Sequence, residues 1–166
     1  MVRIAQIAAA AALATAAGAP LRAQENAGLQ PADYIEGRIG TMLAVEGLLG
    51  NLEAAAEEGT VDEIQAFVSL EAIAASLESF ALLFPADTNL LGTGTEIEGV
   101  STTAAATIWD DFPAFRARLA ENAALARDID TAAPAAGLVA LRENCTACHD
   151  AYVFYDPFAA MGLSGN

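Results

Sequence analysis

The sequence predicts an all-α protein, an antiparallel four-helix bundle. Apolar residues recur at three- and four-residue intervals through four stretches, much of the 55% hydrophobic content is alanine, and no run of similar length alternates with the period of a strand. Alanine favours helix and close helix contacts over the β-branched packing of sheets. A chain of 166 residues suits a single domain with a real core.

The first segment reads as an export address. Arg3 gives a short positive start, Ile4 to Ala19 carries no charge, and Leu21-Arg22-Ala23 places a small residue at a cleavage point. Residues 1–23 are therefore expected to be a secretory signal peptide, leaving 24–166 as the mature domain. A membrane anchor is the competing reading, but the run falls short of the roughly 20 strongly apolar residues of a span and Pro20 closes it. Later apolar stretches are interrupted by acids at helical spacing, so none is expected to span a membrane.

The first helix is expected to start with Pro31 at N1, to bury Ile35, Ile39, Met42, Leu49 and Leu52, and to stop at Gly59. Thr60-Val61-Asp62-Glu63 has the pattern of a capping box opening the second helix. Its expected stripe is Ile64, Phe67, Leu70, Ile73, Ala74, Leu77, Ala81 and Phe84, ended by Pro85. From Pro85 to about Thr103 the chain is rich in Gly, Thr, Asn and Asp and reads as a long connection. A third stripe runs through Ile108, Phe112, Phe115, Leu119, Ala123, Ala126 and Ile129, with Pro113 delaying the regular helix. After Thr131 and Pro134, a fourth joins Leu138, Leu141, Cys145, Cys148, Tyr152 and Tyr155, which turns both cysteines inward. Residues 156–166 contain Pro157, Gly162 and Gly165 and are expected to be an irregular tail.

The formal charge is −15, and every basic residue is arginine. Removal of residues 1–23 would leave five arginines against 22 acids. Such a chain repels nucleic acid and anionic lipid, so both are excluded as partners; a basic protein face or a high-salt medium suits it, and a plain solvated acidic surface explains it equally.

Two cysteines and one histidine are all the sequence has, and all three fall in Cys145-Thr146-Ala147-Cys148-His149. Cys-x-x-Cys-His is the attachment signature of c-type haem: cysteines three apart on a helix reach the two vinyl groups, and the adjacent histidine becomes the proximal iron ligand. A redox cysteine pair usually opens a helix after a strand, a disulfide would close a trivial loop, and zinc lacks a second ligand pair. One covalently bound haem c is the expected cofactor. Thioether formation on the export side agrees with the signal segment and points to a bacterial periplasm.

A signal segment, four helices and a C-terminal Cys-x-x-Cys-His followed by Asp150-Ala151-Tyr152 resemble cytochrome c′ and its low-spin relatives over about Pro31 to Tyr152. Arg38 and Met42 resemble that family's arginine and apolar pair on the first helix, and Ile108-Trp109 with Phe115 its third-helix landmark. The resemblance implies that Met42 lies over the distal haem face and that Arg38 pairs with a propionate; residues four apart do share a helix face. Trp109 and Phe115 are expected to pack in the core or at the haem edge, and Trp109 and Tyr152 are expected among the haem-binding residues. Ordinary core packing is the competing fate of Met42, and a solvated charge that of Arg38. The family usually has a basic residue four beyond the histidine, whereas this chain has Val153, followed by Phe154 and Tyr155. A neutral, aromatic proximal wall is expected in its place.

Two functions follow from the sixth coordination position. If Met42 only crowds the iron, the haem is five-coordinate and binds uncharged NO or CO; if its sulfur bonds iron, the protein is a six-coordinate electron carrier. Without a second histidine, a serine–histidine arrangement or a paired-acid motif, no enzymatic activity is expected. The resemblance implies a homodimer through the first two helices, where Gly40, Ala44 and Gly47 allow close approach.

Overall fold

The computed structural model describes residues 28–155. The segment expected to be a signal peptide and the tail 156–166 lie outside them. Four long helices, α1 (Pro31–Glu58), α2 (Glu63–Phe80), α5 (Phe112–Arg127) and α6 (Ala135–Tyr152), make the bundle, with short helices α3 (Leu90–Thr93) and α4 (Thr107–Asp110) in the long connection between α2 and α5. Among the described residues there is no strand, only isolated bridges at Ile97–Val100 and Ala104–Val153.

Helix ends follow local chemistry. Pro31 occupies the first turn of α1, where its missing N–H costs nothing, and Asp33 accepts from the Gln30 backbone N–H at 2.7 Å. Gly59 ends α1 at φ 67°, a left-handed conformation that glycine adopts without a Cβ clash. The cap of α2 is Asp62, accepting from Gln65 N–H at 2.8 Å, rather than Thr60. Asp62 sits directly before the first helical residue, whereas the Thr60 hydroxyl, two residues earlier, donates back to the Ala55 carbonyl at the end of α1. Pro85 acts earlier than its position suggests, since α2 gives way to a 3₁₀ turn over Ala81–Leu83. Asp111 caps α5 just before Pro113.

The core joins Leu49 and Leu52 of α1, Leu70, Ile73 and Leu77 of α2, Phe115 and Leu119 of α5, and Leu138 and Leu141 of α6. The α2–α5 interface is the most extensive. By length and hydropathy alone Glu63–Leu83 resembles a membrane span, contrary to expectation, yet its inner face belongs to this core. Four residues of the expected stripes are exposed: Ile39 on α1, Ile64 (77% exposed) and Phe67 (58%) on α2, which lie off the face carrying Ala66, Leu70, Ile73 and Leu77, and Tyr155, beyond the end of α6.

Candidate functional site

Between α1 and α6 lies a cavity of about 640 Å³, floored by α2 and α5 and rimmed by the connection before α4. Its inner wall is apolar, with Ile35, Leu49, Leu77, Phe84, Phe115 and Leu119 buried. Exposed polar groups, among them Glu46, Ser101, Thr103 and Thr146, gather at the rim. Ile39, expected to be core, and Leu43 are instead exposed and line this cavity, so a group filling it would cover them.

The α6 wall carries Cys145, Cys148 and His149. Burial raises both thiols, Cys148 to about 11, so the pair is neutral at physiological pH. A reactive dithiol needs the opposite shift, toward thiolate, which argues against a redox pair. His149 is exposed toward the cavity on the last turn of α6, where its backbone carbonyl accepts from Val153 N–H at 2.8 Å.

The α1 wall carries Met42, half-buried, and Arg38, only 5% exposed. Arg38 is a fixed part of the fold rather than a solvated charge. Its Nε donates to the Leu83 carbonyl at 2.7 Å, Nη2 donates to Thr88 Oγ1, and its Cζ stands 4.0 Å from the centre of the Phe84 ring. Burial lowers its pKa to about 10, which still leaves it cationic. Nη1 is buried and has no partner.

Tyr152 lines the cavity from the end of α6 and meets Phe115 edge-on at 5.0 Å. Trp109 is the one expected site residue that does not reach the cavity wall. It stands behind Phe84, 5.7 Å between centroids, donates Nε1–H to the Pro85 carbonyl at 3.3 Å, and stiffens the aromatic group that supports Arg38.

The proximal rim is built by backbone as much as by aromatic side chains. Ala104 bridges Val153, Ala105 N–H donates to the Tyr152 carbonyl at 2.9 Å, and Phe154 N–H donates to the Thr103 carbonyl at 2.7 Å. Val153 and Tyr155 line the cavity, whereas Phe154 is exposed and does not.

Three site residues escaped the sequence reading. Thr88 received no attention because its role depends on a partner 50 positions away. Arg142 ties α6 to α1 through Glu46 and Glu53, pairs invisible in one dimension. Asn122, 2% exposed with Oδ1 unpartnered, lines the cavity from α5. A signal existed: Asn122 follows Phe115 and Leu119 at helical spacing, a polar residue on a buried stripe.

The residues fit a haem. The volume lies within the ~300–1,000 Å³ typical of cofactor sites. The thioether and imidazole donors share one wall, a thioether side chain occupies the other, and a buried guanidinium N–H without an acceptor suits an anionic substituent.

A family model described as Cytochrome C′ matches residues 33–153. Among solved structures, a mutant of Rhodopseudomonas palustris cytochrome c′ is similar at 28% identity and a TM-score of 0.60, covering 74% of this chain and 98% of that one. Cytochrome c′ from Rhodobacter sphaeroides matches at 22% identity, TM-score 0.59, covering 77% and 100%, and that from Thermochromatium tepidum at 20%, TM-score 0.59, covering 76% and 98%. No curated protein matches.

Proposed function

The chain belongs to the cytochrome c′ family of c-type cytochromes, and from that premise we propose that it is a periplasmic mono-haem cytochrome whose five-coordinate iron binds NO or CO. Haem c, when bound, supplies an iron that changes between ferric and ferrous states and accepts a small ligand. Cys145 and Cys148 hold it covalently, and His149 is the proximal ligand. Arg38 uses its free N–H on a propionate.

The observation that carries this function is the cavity itself: Met42 on α1 faces the Cys-x-x-Cys-His wall of α6 across an apolar interior. Apolar side chains exclude water and give anionic ligands no counter-charge, so uncharged diatomics are favoured. Met42 is half-buried and crowds the site. The same placement supports a second function, electron transfer, in which Met42 and His149 would both hold the iron.

We infer no enzymatic turnover. The acidic chain suits a redox partner with a basic face. A homodimer through α1 and α2 is supported by Gly40 and Gly47 on α1, where an added Cβ would meet open space, and by the exposed apolar Ile64 and Phe67 on α2.

Optical and electron paramagnetic resonance spectra of the holoprotein, with and without CO, test the proposal. High-spin ferric iron and ready CO uptake are expected. Low-spin iron without CO uptake, converted to high-spin by Met42→Ala, would establish the electron carrier instead, and absence of covalent haem would overturn both.

A further inference from the structure

Arg142 and Glu46 line the cavity from opposite walls. On α6, Arg142 precedes Cys145 by three residues and His149 by seven, so the three share a helix face; on α1, Glu46 follows Met42 by four and Glu53 follows Glu46 by seven, again on one face. The guanidinium spans the gap. Its Nε and Nη2 donate to the two Glu53 oxygens at 2.9 and 2.6 Å, and its Nη1 donates to Glu46 Oε2 at 2.6 Å. A planar fork on a carboxylate, with a second carboxylate on its remaining edge, is the strong and directional form of ion pair.

This tie stands where packing is thinnest. The α1–α6 interface is the smallest among neighbouring long helices, because the cavity lies between them. The spacing of the two walls therefore depends on few contacts, and Arg142 supplies a direct polar one.

We propose that Arg142 is a positioning residue: by holding Glu46 and Glu53 it sets how closely Met42 approaches the His149 wall, and so how much room a diatomic ligand has. This rests on the assignment of Met42 and His149 to the two sides of the haem.

The test uses holoprotein carrying Arg142→Ala or Arg142→Lys, each alone and combined with Met42→Ala, with CO affinity from equilibrium titration and spin state from ferric spectra. Arg142→Ala is expected to raise CO affinity about fivefold, the scale of a partly exposed tie to two carboxylates, by letting Met42 recede. Any low-spin fraction falls at the same time. Arg142→Lys, which keeps the charge and loses the fork, gives a smaller rise and serves alone if the alanine variant does not fold. In the Met42→Ala background neither substitution has an effect. Unchanged CO affinity in both single variants, or an equal rise in the Met42→Ala background, overturns the proposal; wild-type protein without covalent haem overturns the functional assignment beneath it.

Discussion

Arg38 shows how one side chain joins fold and cofactor. A buried cation is costly unless its donors are used; here a carbonyl and a hydroxyl take Nε–H and an Nη2 N–H and an aromatic face covers the guanidinium, while Nη1 is left without a partner. No acid among the described residues pairs with it. Its charge therefore falls on whatever occupies the cavity, and beside the proposed haem it would favour ferrous over ferric iron. Arg38→Met is expected to lower the reduction potential by roughly 60 mV, a factor of about 10 for a one-electron couple; spectroelectrochemical titration measures it, and an unchanged potential would mean that the charge is compensated elsewhere. Asn122 presents the opposite economy, a buried oxygen without a donor, worth about 1–3 kcal/mol of destabilisation. Asn122→Leu keeps the branching at Cγ and removes that oxygen, the larger side chain filling into the adjoining cavity. It is expected to stabilise the protein by about 1 kcal/mol in chemical denaturation, and a loss of stability would show that the carboxamide has a partner in solution.

At the scale of elements, α6 is held at three levels. Near its start, Gly137 lies so close to Ile129 that an added Cβ would meet Ile129 Cγ1 at 2.7 Å and Cβ at 3.2 Å. Ile129 is buried, so it has little room to yield. Gly137→Ala is expected to cost about 1–3 kcal/mol despite alanine's better helix propensity, as a shift in the denaturation midpoint would report. Midway, Arg142 ties α6 to α1. At its end, backbone hydrogen bonds from residues 103–105 and the Thr107 hydroxyl on the Ala151 carbonyl pin the turn that carries His149. The histidine is thus positioned by backbone on one side and by packing on the other.

Over the whole molecule the dominant feature is charge. With a net −15 and few ion pairs among the described residues, Arg127 with Glu71 and Glu78 and Arg142 with Glu46 and Glu53 being the interhelical ones there, most acids repel one another. Salt screens that repulsion over about 10 Å at 0.1 M and weakens the exposed pairs as well. Repulsion involves more charges, so thermal stability is expected to rise between low salt and about 0.5 M sodium chloride; a falling midpoint would mean that the ion pairs dominate.

The helices, their apolar faces and the haem signature were legible in the sequence because each depends on residues close together: caps, prolines, a 3.6-residue period and three chemical groups within five positions. Where the faces were misassigned, at Ile39, Ile64, Phe67 and Tyr155, periodicity gave an apolar direction but not which of two apolar faces of α2 is covered, where α6 ends or the presence of a cavity. Arg38 and Met42 were found through resemblance, yet whether Arg38 was solvated or buried depended on Leu83 and Thr88, 45 and 50 residues away. Asn122, the Arg142 tie and the strap at Val153 belong to the tertiary structure alone. Local periodicity fixes which side of a helix is apolar, and only packing decides what that side faces, how far apart two walls stand and which buried polar groups are left unpaired.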